Sequence, residues 1–115
     1  ATAALERGDS ESAASRAYYA LYHITVLLLR AIKGIERERW DHDQLHRAFL
    51  DQFCEVGYLF SRRDGRDWEY VKNSRIAADY DANPFPAMGG QRAIERARQL
   101  IGAMTQRIRD NDQAR

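Results

Sequence analysis

Apolar residues crowd into one stretch of the chain. From Ala14 the positions Ala17, Tyr18, Leu21, Ile24, Leu28, Leu29 and Ile32 recur at three- and four-residue spacing, the repeat of a helix face. Thr25 is the one polar step on that face, and no Gly or Pro interrupts the run between Asp9 and Lys33. The pattern predicts a long helix capped by Asp9 or Ser10, ended by Gly34, and packed on most sides in the middle of a bundle. Ahead of it, 1–7 reads as a short helix stopped by Gly8. Residues 35–41 form a charged connector carrying Trp40. A second amphipathic helix starts near 41–43 and runs to about Val56, with Leu45, Phe49 and Phe53 on its apolar face and Gly57 as its stop. Tyr58, Leu59 and Phe60 read as an apolar hinge plugging the bundle end. Residues 62–66, with Asp64-Gly65, read as a turn.

Periodicity resumes from Asp67 through Trp68, Val71, Arg75 and Ala78 to Tyr80. Asn83-Pro84 and Phe85-Pro86 then signal a loop, and Gly89-Gly90 a flexible step. The last helix is predicted over 91–108, with Ile94, Ala97, Leu100, Ile101, Met104 and Ile108 on one face, followed by a polar, frayed tail over 110–115. No strand pattern competes. The chain reads as an all-α, up-and-down bundle of four to five helices forming a single domain over 1–115.

The 115 residues suffice for a core without staples. A net charge of +1 argues neither for nor against a nucleic-acid partner. Lys33 and Lys72 are the only lysines, so arginine, the better fork for phosphate, carries the positive charge. That bias is also what genomic composition produces. A lone Cys54 leaves no internal disulfide and suits a reducing cytoplasm. Arg16, His23 and Arg30 break the long apolar stretch, so it is no membrane span, and no signal peptide opens the chain. The start without Met, in mid-helix, points to further sequence ahead of Ala1.

Four constellations could carry chemistry. His42 and His46 stand at i and i+4 with Asp43 between them, the spacing by which a zinc hydrolase helix brings two imidazoles to one metal. No third ligand follows, and His and Asp are ordinary at a helix start, so no metal and no cofactor are expected. Arg16 and His23 lie seven residues apart, hence on one stripe of the long helix. They read either as a catalytic or RNA-contacting pair, or as a buried Arg bonded to a carboxylate such as Asp79 beside a His satisfied by a carbonyl. Arg75, Asp79 and Tyr80 precede the proline loop, and Arg75 with Asp79 at i, i+4 equally makes a helix-surface ion pair. Tyr18, Tyr19 and Tyr22 have rings that stack on bases, or on one another in a core.

Together these residues resemble the HEPN family (higher eukaryotes and prokaryotes nucleotide-binding), in the branch with a Ser-Arg-Ala-Tyr-Tyr-Ala-hydrophobic-aromatic-His helix and an Arg-x-x-Ala-Asp-Tyr-Asp signature. The first is Ser15 to His23 here, the second Arg75 to Asp81. His46 with Phe49 and Phe53 resembles the family's middle helix, and Lys33-Gly34-Ile35 the turn after the first motif. The resemblance implies a homodimer, and in many members a metal-independent ribonuclease in which an Arg and a His support attack of the RNA 2′-hydroxyl on its phosphate. Many prokaryotic members are toxins paired with a nucleotidyltransferase-type antitoxin, while others only bind nucleotides or RNA.

The chain departs from the nuclease motif, which has four to six residues between Arg and His in a late helix. After Arg75, the positions where His would stand hold Tyr80, Asp81 and Ala82. Arg16 and His23 have the spacing, but on the early helix, and so do Arg37 with His42 and Arg39 with His46. The expectation is a cytoplasmic, RNA- or nucleotide-directed domain with Arg16, His23, Arg75, Asp79 and Tyr80 as site residues. The alternative is a non-catalytic nucleotide-binding or protein-interaction module.

Overall fold

The computed structural model describes the backbone of residues 2–55, 59–80 and 87–114, and the side chains of 13–55, 59–75 and 91–114. Among them there is no strand: the protein is an all-α bundle of four helices, α1 (Thr2–Leu28), α2 (His42–Phe49), α3 (Arg62–Tyr80) and α4 (Ala87–Gln113). Two of these end in a wider π turn, Leu29–Lys33 after α1 and Leu50–Glu55 after α2. None of the helices is long and apolar enough to cross a membrane, among the described residues.

Gly34 ends the first rod as predicted. It takes a left-handed conformation at φ 67°, where a side chain would be strained, and its N–H bonds to the Arg30 carbonyl at 3.1 Å. From there the chain doubles back over residues 35–41, which form no regular element. Lys33 and Tyr22 are about 16 Å apart along a helix, within reach of the connector, and the Tyr22 hydroxyl donates to the Trp40 carbonyl. α2 therefore starts beside the middle of α1. Asp41 caps it, accepting from the Gln44 N–H at 2.7 Å while the Gln44 side chain returns to the Asp41 N–H.

Contacts fix the directions. His42 meets Tyr18, and Lys33 lies over the Phe53 ring, so α2 runs in the sense of α1 and not against it as an up-and-down bundle predicts, because the connector carries the chain back before α2 begins. α3 runs against both, from Gly65 beside His46 to Arg75 beside Tyr19. Thr25 touches Met104 and Asn111 bonds to the Ala31 carbonyl, so α4 lies parallel to α1. The core at their junction holds Tyr18, Leu21, Leu28, Leu45, Phe49 and Trp68, all fully buried. Phe60 packs on Phe49 and Phe53, plugging the end as the apolar hinge predicts. Cys54 is buried, and burial, helped by the negative charge of Asp64, pushes its thiol pKa up to about 11.

Several predicted boundaries move. α1 passes through Gly8 without stopping, so there is no separate first helix and no cap at Asp9 or Ser10. The predicted turn at 62–66 is the first turn of α3, where Ser61 and Asp64 cap each other's N–H groups at 3.1 and 2.9 Å. α4 starts at Ala87, takes Gly89-Gly90 into the helix and continues to Gln113, leaving little tail. One rod costs less than two here because each extra turn adds backbone hydrogen bonds without a new cap. The stop at Gly57, the hinge residue Tyr58 and the loop at 81–86 lie outside the described residues.

Candidate functional site

α1 is central, yet one side of it faces water. Arg16, Tyr19, His23, Leu27 and Arg30 form an exposed stripe, each three or four residues from the next. Arg16 and His23 share that stripe, as their spacing requires, and both are exposed. The alternative of a buried Arg16 bonded to a carboxylate beside a carbonyl-satisfied His23 is thereby overturned. The His23 ring meets the edge of Tyr22 at 5.4 Å between centroids.

The three tyrosines divide by position. Tyr18 is fully buried, Tyr22 is half-buried, and Tyr19 is 41% exposed. Tyr19 joins the stripe to α3: Arg75 Nη2 donates to the Tyr19 hydroxyl at 2.6 Å, with the guanidinium 5.2 Å from the Tyr19 ring and 5.9 Å from that of Tyr18. Tyr19 is three residues from Arg16 and four from His23, neighbours on a helix surface. Arg75, Tyr19, Arg16 and His23 thus belong to one continuous patch. Asp79 and Tyr80 lie on the last turns of α3, one turn or more beyond Arg75, and their side chains are outside the described residues.

Beneath the patch lies a polar node that spacing alone did not reveal. The Tyr18 hydroxyl hydrogen-bonds to His42 Nδ1, and burial raises the Tyr18 pKa well above its usual 10, Arg75 opposing. Lys72 Nζ donates to Asp43 Oδ1 at 3.0 Å; this hydrogen bond and the lysine's charge lower the Asp43 carboxyl from its usual 3.8. The pair is lopsided, Lys72 being 10% exposed and Asp43 91%. His46 stacks on Trp68 at 5.1 Å and 11°, and its Nε2–H donates to the Gly65 carbonyl at 3.2 Å.

His42 and His46 therefore point to different partners, Tyr18 and Trp68. No group of three or more His, Cys, Asp or Glu among the described residues is arranged to hold a metal. The sequence signal for this node was the i, i+4 histidine pair read for zinc; its partners Tyr18, Trp68 and Gly65 are 19 or more residues away and invisible to spacing.

The patch offers two guanidinium groups, an imidazole and a phenol at the surface. That set can bind a phosphate, spread developing negative charge and move a proton. No family model, no curated protein and no solved structure matches the chain.

Proposed function

We propose that the chain is a HEPN-like domain that acts on RNA, serving as the toxin-type, metal-independent ribonuclease of a cytoplasmic toxin–antitoxin or defence module. The observation that carries this reading is the hydrogen bond from Arg75 to Tyr19, which ties the second signature to the stripe of Arg16 and His23. In the proposed step the RNA 2′-hydroxyl oxygen bonds to phosphorus and its proton passes to His23. The 5′-oxygen leaves and takes a proton from water, giving a cyclic phosphate and a 5′-hydroxyl. Arg16 and Arg75 stabilise the charge on the phosphoryl oxygens, Asp79 orients an arginine, and Tyr80 adds a hydroxyl donor. A homodimer and a nucleotidyltransferase-type antitoxin belong to the same reading.

A labelled mixed-sequence RNA incubated with the protein in EDTA tests it. Cleavage is expected, falling about 100-fold or more in His23→Ala and comparably in Arg75→Ala, with both variants folded by circular dichroism. The second reading is a non-catalytic nucleotide or RNA-binding module. It is favoured by His23 making no hydrogen bond among the described residues, so that only the Tyr22 ring orients it. No cleavage, with RNA binding that Arg75→Ala weakens, would select that module. Neither cleavage nor binding by the folded protein would refute both.

A further inference from the structure

The flank where α1 and α4 lie parallel carries a second feature, away from Arg75. α1 presents Ala17, Ala20 and Ile24 along this seam, and α4 presents Ile94, Ile101 and Ile108. The three isoleucines stand seven residues apart, so they stay on one line. Two hollows of about 340 and 400 Å³ follow one another along it, the first between Arg16 and Arg98, the second between Arg30 and Arg109. Leu27, 41% exposed, stands in the wall of the second.

The edges of this furrow are basic. Among the described residues no carboxylate lies within 4 Å of Arg16, Arg98 or Arg109. Arg30 is shared with Glu36 at 3.9 Å, and Asp112 is the one acid lining the hollows. From Ala13 to Ala31 the furrow spans about 27 Å at 1.5 Å per residue, five turns of a helix.

We propose that this furrow docks an amphipathic helix of a partner protein, with its apolar residues on the isoleucine line and carboxylates along both edges. Charge complementarity selects this occupant. A second copy docked across the furrow by two-fold symmetry would set arginines against the same arginines. A sugar–phosphate backbone would satisfy the arginines but leave Ile24, Ile94, Ile101 and Ile108 against a charged chain, with their apolar area uncovered. A helix with apolar residues at i, i+3, i+4 and i+7 covers both. The inference gives a surface and a chemistry to the partner protein of the preceding reading, and it does not depend on RNA cleavage.

The test is selection from a displayed library of 18-residue helical peptides, with fixed leucines at i, i+3, i+4 and i+7 and flanking positions randomised over all charges. Selected peptides are expected to carry Glu or Asp at the flanks. By fluorescence anisotropy, Arg98→Glu/Arg109→Glu weakens a selected peptide by at least about tenfold, and its Lys-flanked counterpart regains affinity for that variant. Arg98→Gln/Arg109→Gln gives a smaller loss in the same direction, should the reversal not fold. Flanks without acidic enrichment, or affinity indifferent to both double variants, overturn the proposal. So does a labelled RNA oligomer whose binding, but not the peptide's, falls with these substitutions. A dimer dissociation constant shifted by them, measured by sedimentation, overturns it in favour of a second copy. RNA cleavage in EDTA is unchanged in the single variant Arg109→Glu, whose hollow is lined by Arg30 and not by Arg16, which separates this test from that of the ribonuclease.

Discussion

Thr25 shows how one polar atom can organise a core. A threonine in mid-helix is usually an indifferent choice, and this one is fully buried. Its hydroxyl donates back to the Leu21 carbonyl at 2.6 Å and accepts from Trp68 Nε1 at 3.0 Å, with Met104 Sδ at 3.6 Å. The atom thus joins α1, α3 and α4. Val has nearly the same shape and no acceptor, so Thr25→Val leaves the Trp68 N–H buried and unpaired. The expected loss is about 1–3 kcal/mol of unfolding free energy, read from urea titration. Trp68→Phe costs packing of its own but removes that donor, so in its background the Thr25→Val loss shrinks towards zero. Equal losses in both backgrounds would mean that the bond contributes nothing to stability.

At the scale of elements, glycine carries opposite meanings at different positions. Gly102 sits exposed on α4 with open space around it, so Ala there gains helix propensity at no steric cost. Gly102→Ala is expected to stabilise by roughly 0.5–1 kcal/mol. Gly65, in the first turn of α3, is buried, and a Cβ would stand 2.4 Å from Leu50 Cδ2. Leu50 must swing away, which offsets the propensity gain. Urea midpoints should therefore rank Gly102→Ala above wild type and wild type above Gly65→Ala; the reverse order would show that Leu50 yields freely.

The same residues explain what the sequence could and could not tell. The apolar repeat located all four helices, because burial imposes the 3.6-residue period directly. Gly34 was legible as a stop because the helix end there needs a left-handed residue, which glycine adopts without strain. Gly8, Gly65 and Gly89-Gly90 looked alike on paper yet lie inside helices, because continuing a rod adds backbone hydrogen bonds that outweigh a propensity cost of about 1 kcal/mol. Of the site, Arg16 and His23 were legible as one stripe, since a seven-residue interval is local geometry. The bond from Arg75 to Tyr19 spans 56 residues and the basic furrow joins two helices from opposite ends of the chain. No local pattern reports either.

For the whole molecule, pH acts through the packing of α2 against α3. Burial lowers the His46 pKa below its usual 6.5, with Lys72 adding to the effect; the Gly65 carbonyl, Glu69 and Asp43 oppose it. In the unfolded chain the imidazole takes up a proton near 6.5; in the fold it does so only at lower pH. The unfolded state therefore binds more protons as pH falls through that window. The contribution from His46 is complete above about pH 6.5 and is lost progressively as pH falls towards the folded value. Asp43 does not confuse the reading, since Lys72 holds its carboxyl below 3.8. Gln at position 46 stays neutral throughout, and its amide N–H₂ still reaches for the Gly65 carbonyl. Urea unfolding of wild type at pH 7.5 and 5.5 should show a loss of stability that His46→Gln reduces. Parallel losses in the two proteins would mean that His46 is protonated in the fold as readily as outside it, and that its stack on Trp68 accommodates the charge.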